Sequence, residues 1–102
     1  MKIYWSESSL GDLKGIKEYI ARDSEYYAIN FTDRIISSVE HLSVLPETGR
    51  KVPEADDNNI REIVIQPYRI IYQLQSDSIN IITIIHPARD LSNPKLKKWE
   101  TG

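Results

Sequence analysis

The sequence predicts an α+β fold in the order β-α-α-β-β-β: an N-terminal strand, then an αα-hairpin packed on an antiparallel β-meander. Three observations predict it. Residues 60–89 hold three short β-rich runs, at 60–66, 68–75 and 79–86, separated by Pro67 and by the polar pair Ser76-Asp77. Proline cannot donate to a strand ladder and Ser-Asp suits a turn, so the runs read as consecutive antiparallel strands. Upstream, two apolar stripes recur at helical spacing with a short polar link between them. A hairpin with one apolar face must cover something, and the sheet is its counterpart.

Taken in order, the apolar run at residues 2–5 reads as a strand, and Ser6, Ser8 or Ser9 can cap the helix that follows. Leu10, Leu13, Ile16 and Ile20 mark one face of that helix. Gly11 and Gly15 sit inside it, each costing about 1 kcal/mol relative to alanine. Their spacing of four would let another element approach closely. Asp23 or Ser24 can cap the second helix, whose stripe is Ala28, Phe31, Ile35, Val39 and Leu42. His41, beside that stripe, has no second ligand at metal spacing and reads as a surface histidine. Pro46 and Gly49 end the helix, and residues 46–59 read as a solvated, mobile acidic loop. Glu54, Asp56 and Asp57 lack the spacing and closing glutamate of a calcium loop, so no metal site is expected.

In the middle strand of the meander, Tyr68, Ile70, Tyr72 and Leu74 point one way, and Arg69, Ile71, Gln73 and Gln75 the other. A two-residue turn at Ser76-Asp77 sets Gln75 opposite Ser78, Ile71 opposite Ile82 and Arg69 opposite Ile84. Asn80, Ile82, Ile84 and His86 then share the Arg69 face, which brings Arg69 and His86 together with Arg89 just beyond. A one-residue change in the pairing would reverse that assignment.

The chain of 102 residues reads as one domain, residues 1–102, with 91–102 a basic tail that carries Leu96 and Trp99. It has no cysteine, which excludes disulfides and thiolate metal sites and suits a reducing cytoplasm. The first residues turn polar at Ser6, unlike a signal peptide, and no apolar run approaches the roughly 20 residues that span a bilayer. Charge is uneven. Residues 1–59 carry 7 Lys/Arg against 11 Asp/Glu, and residues 60–102 carry 6 against 4. Binding to phosphate backbones favours a clear basic excess, so tight autonomous nucleic-acid binding is disfavoured.

No nucleophile elbow, zinc-protease helix motif, dinucleotide fingerprint or cysteine nucleophile is present, and no cofactor is expected. The one constellation with chemical potential is Arg61, Arg69, Tyr72, His86 and Arg89. Metal-free RNA cleavage needs a base, an acid and cations on the phosphate, which His and Arg supply if they converge. The bland alternative pairs Arg61 and Arg69 with Glu62 or a loop carboxylate and leaves His86 to finish a strand. Tyr72 falls on the apolar face and reads as core.

Four local phrases accompany the element order: Pro46-x-x-Gly49-Arg50, Ile60-Arg61-Glu62, Tyr68-Arg69-Ile70-Ile71-Tyr72 and His86-x-x-Arg89-Asp90. Together, over about residues 2–90, the chain resembles the RelE/ParE superfamily of type II toxin–antitoxin toxins. RelE-like members are ribosome-dependent mRNA endonucleases and strongly basic; ParE-like members share the fold, lack that constellation and poison DNA gyrase. The His86-Pro-Ala-Arg89-Asp90 ending and the Arg61-Glu62 phrase look like the ParE side. Of the nuclease residues only Arg61, Arg69 and His86 have candidate counterparts; the RelE lysines have none beyond Lys51, and the C-terminal tyrosine is absent, Trp99 being the only aromatic there.

The resemblance implies a cytoplasmic toxin that binds gyrase as a protein partner, does no chemistry of its own and forms a hetero-oligomer with a cognate antitoxin. Leu10, Gly11 and Gly15 are the expected antitoxin landing point. The alternatives are a nuclease acting on ribosome-bound mRNA through Arg61, Arg69, His86 and Arg89, and a degenerate toxin kept only as an antitoxin-binding module.

Overall fold

The computed structural model describes residues 1–86. Its elements are β1 (Lys2–Trp5), α1 (Glu7–Ala21), α2 (Glu25–His41), β2 (Arg50–Lys51), β3 (Ile60–Ile65), β4 (Tyr68–Leu74) and β5 (Ser78–Ile85). They form the expected strand, helical hairpin and antiparallel meander. The sheet is mixed and five-stranded, in the order β1-β5-β4-β3-β2, with β1 parallel to β5 and the other neighbours antiparallel. Two features go beyond the expectation: the edge place of β1, and β2 inside the 46–59 connection.

Each helix begins on a serine cap. The Ser6 hydroxyl accepts from the Ser9 amide at 3.0 Å, and the Ser24 hydroxyl accepts from the Tyr27 amide at 3.1 Å. The α2 stripe is buried at Ala28, Ile35, Val39 and, just past the helix, Leu42. With Ile16 of α1 it packs on Tyr68, Ile70, Tyr72, Ile79, Ile81 and Ile84. Burying each large apolar side chain is worth about 1.5–3 kcal/mol, so this layer holds the hairpin to the sheet. Leu10 does not join it and stays 51% exposed, because α1 presents only Leu13, Ile16 and Ile20 to the core.

The opposite face of the sheet is covered too, which corrects the reading of residues 46–59 as a solvated loop. Val52 is 2% exposed and packs with Ile60, Ile71 and Ile85, with Ala55 against them. The physical reason is the sheet itself: Ile70 and Ile71 point to opposite faces and both are fully buried. Only the tip at residues 56–59 is left uniformly to solvent.

The β4–β5 hairpin starts in the expected register, with the Gln75 amide donating to the Ser78 carbonyl at 2.9 Å and Gln73 opposite Asn80. Between Tyr72 and Ile71 the register slips by one: Tyr72 pairs with Ile81 but Ile71 pairs with Thr83. The extra residue, Ile82, is a β-bulge. It lies where β1 ends, and there Ser6 donates its amide to the Ile81 carbonyl at 3.1 Å and its hydroxyl to the Ile82 carbonyl at 2.8 Å. Beyond the bulge the faces exchange. Arg69 stands opposite Ile85, and Ile84 joins the helix-side core.

Candidate functional site

Of the charged residues that the sequence singled out, Arg69 joins Arg50 and Glu54 around one buried carboxylate. Glu62 on β3 is 1% exposed. Its Oε2 accepts from Arg50 Nε at 2.8 Å and Nη2 at 2.7 Å, and its Oε1 accepts from Arg69 Nε at 2.8 Å and from Arg69 Nη2. Arg69 also reaches Glu54 in the loop, Nη1 to Oε2 at 3.0 Å and Nη2 to Oε1 at 3.3 Å. The Arg69 guanidinium hydrogen-bonded to Glu54 holds that carboxyl below its ordinary value, against the raising effect of burial. Two arginines and two carboxylates cancel, and the Arg69 guanidinium is spent on protein while the Arg50 side chain stays 67% exposed. A buried carboxylate is tolerated only with such pairing.

A second set of contacts locks the start of the same loop. Gly49 donates its amide to the Tyr72 hydroxyl at 3.0 Å, and that hydroxyl donates to the Pro46 carbonyl at 2.8 Å. Burial pushes the Tyr72 phenol up, so it remains a donor. The Gly49 carbonyl accepts from Arg61 Nη1 at 2.9 Å. A Cβ at position 49 would lie 2.5 Å from the Tyr72 oxygen and 2.6 Å from the Glu62 carbonyl, so only glycine fits. Three of the four family-like phrases therefore meet in one structural clasp.

The nuclease constellation is not gathered among the described residues. Arg69 lies on the loop face and is fully engaged with carboxylates. Arg61 lies opposite Tyr72 on the helix face and is turned to the Gly49 carbonyl. His86 follows Ile84 on the helix side, its ring edge-on to Tyr68 at 5.6 Å. This corrects the expected Arg69–His86 juxtaposition, and the Ile82 bulge is the cause. Arg89, and the Leu96 and Trp99 of the basic tail, lie outside the described residues.

The hairpin presents the other notable surface. Gly11 and Gly15 are exposed on α1, and a Cβ on either would meet nothing within 4 Å. Internal packing therefore does not require them. With Asp12, Tyr19, Tyr68 and His86 they line an open groove of about 380 Å³ floored by Ile16 and Ile84. Burial, with Tyr19 beside it, pushes the Tyr68 phenol up. Tyr26 and Tyr27 on α2 are exposed as well, at 78% and 64%. Of this surface the sequence reading named the glycines and His86 and missed Asp12, Tyr19 and Tyr68. One signal was present: Gly11, Gly15 and Tyr19 recur every four residues, one row of the helix.

Comparison with known proteins places this geometry. A sequence model of the ParE toxin of the type II toxin–antitoxin system parDE matches residues 3–91. The chain is 30% identical over 89 residues to a Caulobacter vibrioides protein named Toxin RelE2, covering 86% of this chain and 97% of that protein. The fold is similar to a chain of the chromosomal ParDE toxin–antitoxin system from P. aeruginosa. That match has TM-score 0.70 at 19% identity, over 84% of this chain and 95% of the other. It also resembles a chain of the RelBE2 toxin–antitoxin complex from Mycobacterium tuberculosis, with TM-score 0.54 at 14% identity, over 86% and 92% of the two chains.

Proposed function

The chain belongs to the ParE toxin family of type II toxin–antitoxin systems, and from that premise we propose that it acts by binding rather than by chemistry of its own. Its target is DNA gyrase, and a cognate antitoxin neutralises it across the α1–α2 hairpin. The observation that carries this reading is the dispersal of the arginines and histidine. Holding a phosphate takes a cation with donors to spare, and the Arg69 donors are consumed by Glu62 and Glu54. The phosphate-holding cation and the acid–base group must also lie within reach of one substrate, whereas Arg69 and His86 lie on opposite faces of the sheet. The exposed glycines and rings of the hairpin favour a protein partner there.

The test is a supercoiling assay with purified gyrase, relaxed plasmid, ATP and a titration of this protein, with and without antitoxin. Inhibition with accumulated linear DNA, relieved by the antitoxin, is the expected result. No inhibition at micromolar excess overturns the gyrase target.

The name of the Caulobacter relative, Toxin RelE2, favours a second reading, a ribosome-dependent mRNA endonuclease. It requires cleavage of ribosome-bound mRNA that falls with both Arg69→Ala and His86→Ala. The same preparation can be tested for it.

A further inference from the structure

The groove beside Gly11 and Gly15 has a chemistry that neither glycine explains. Asp12 is its one side chain of fixed charge. Its Oδ2 accepts from the Thr83 hydroxyl at 2.7 Å and from the Ile84 amide at 3.0 Å. These bonds hold α1 to β5 just past the bulge, and they fix the carboxylate at the wall of the groove. Among the described residues Oδ1 takes no hydrogen bond. Around it stand the rings of Tyr19, Tyr68 and His86, and Ile16 and Ile84 form an apolar floor. Tyr19 already shows what such a ring attracts: the Arg22 guanidinium sits 5.8 Å from its centroid.

We propose that this groove seats a single basic side chain, arginine or lysine, carried by the protein segment that lies along α1. The proposal deepens the antitoxin reading and rests on it for the identity of that segment. The complementarity is threefold. The aliphatic stem of the side chain lies on Ile16 and Ile84, as long basic side chains do on apolar surface. The cation meets the Asp12 carboxylate and the aromatic faces, which together discriminate it from a neutral amide. Gly11 and Gly15, one helical turn apart and flanking Asp12, leave open space where side chains would stand, so the backbone of the partner comes close enough for the side chain to reach in.

The test is a titration of the isotope-labelled full-length chain, followed by NMR at the Gly11, Gly15 and Ile84 amides. The probes are acetyl-Ala-Ala-Arg-Ala-Ala-amide and its lysine and glutamine counterparts. The arginine and lysine peptides are expected to shift the two glycine amides saturably, and the glutamine peptide is not. Asp12→Asn keeps an oxygen to accept from Thr83 and Ile84, and is expected to weaken the arginine peptide at least about fivefold. Should that variant fold poorly, Tyr19→Leu on the exposed face is expected to weaken it about threefold. Equal shifts with glutamine, or no shift with any peptide, overturn the proposal. So does undiminished binding in a well-folded Asp12→Asn. A negative gyrase assay leaves this result standing, and a negative titration leaves the gyrase reading standing, so the two failures are separable.

Discussion

On the loop face of the sheet, Arg50, Arg69, Glu54 and Glu62 neutralise one another around a buried carboxylate. On the helix face, at the far end of β5, a single carboxylate and three rings line an open groove. The first region holds Arg69, a catalytic candidate in sequence, and is mechanical in structure. Its donors are spent on holding a loop that buries Val52, Ile60, Ile71 and Ile85. The second has no motif to announce it, yet it keeps unsatisfied recognition capacity. The difference teaches that residue type shows which chemistry is available, while the hydrogen-bond accounting shows whether it has been used.

The sharpest way to break the comparison is at Glu62. If the loop face is a structural clasp, Glu62→Ala is expected to cost about 3 kcal/mol, because it strips the buried partner from a largely buried Arg69. For a domain of this size that is a large share of the ~5–15 kcal/mol total. Urea unfolding at pH 7 reads it, and replacing Glu62 and Arg69 together by Leu and Met should recover most of the loss. A change under 0.5 kcal/mol, on the order of a neutral surface substitution, would contradict the clasp.

The glycines sharpen the same contrast with opposite signs. Gly49→Ala drives a Cβ into the Tyr72 hydroxyl and the Glu62 carbonyl and is expected to destabilise by about 1–3 kcal/mol. Gly11→Ala and Gly15→Ala meet no atom, and each is expected to stabilise the isolated chain by about 0.4–1 kcal/mol. If the hairpin is where a partner packs closely, the two stabilising substitutions weaken antitoxin capture. Stability gained with capture unchanged would leave these glycines without a binding role.

Most of the fold was legible because it is written in periodicity. The stripe from Ala28 to Leu42 names its buried face, and the alternation from Tyr68 to Leu74 sorts the strand's side chains between the two faces of the sheet. The site was less legible, and the reason is local. Ile82 is an isoleucine among isoleucines, with no glycine to mark a bulge, yet that one residue moves His86 away from Arg69. The bulge follows from the end of β1 and the Ser6 contacts, which are tertiary. Val52 was a readable signal: a β-branched residue inside an acidic loop, ahead of Ile60, is out of place unless buried. Asp12 carried no pattern at all, since its role depends on Thr83 and Ile84, more than seventy residues away.

The smallest expected effect tests the clasp at its outer end. Glu54 is held below its ordinary pKa because Arg69 hydrogen-bonds its charged form. A carboxyl lowered in the folded state contributes stability above its unfolded value of about 4.3, and loses it as pH falls through the folded value. The side chain is 30% exposed, so solvent screens the pair and its worth is about 0.2–1 kcal/mol. Glu54→Gln should therefore be less stable than the parent at pH 7 by that amount, and the gap should close once the pH is well below about 4. A gap that persists unchanged into acid would mean that Glu54 holds the loop through shape or a neutral hydrogen bond. The loop face would then depend on the Glu62 pairing for its electrostatic hold, which returns the weight of the clasp to the buried carboxylate.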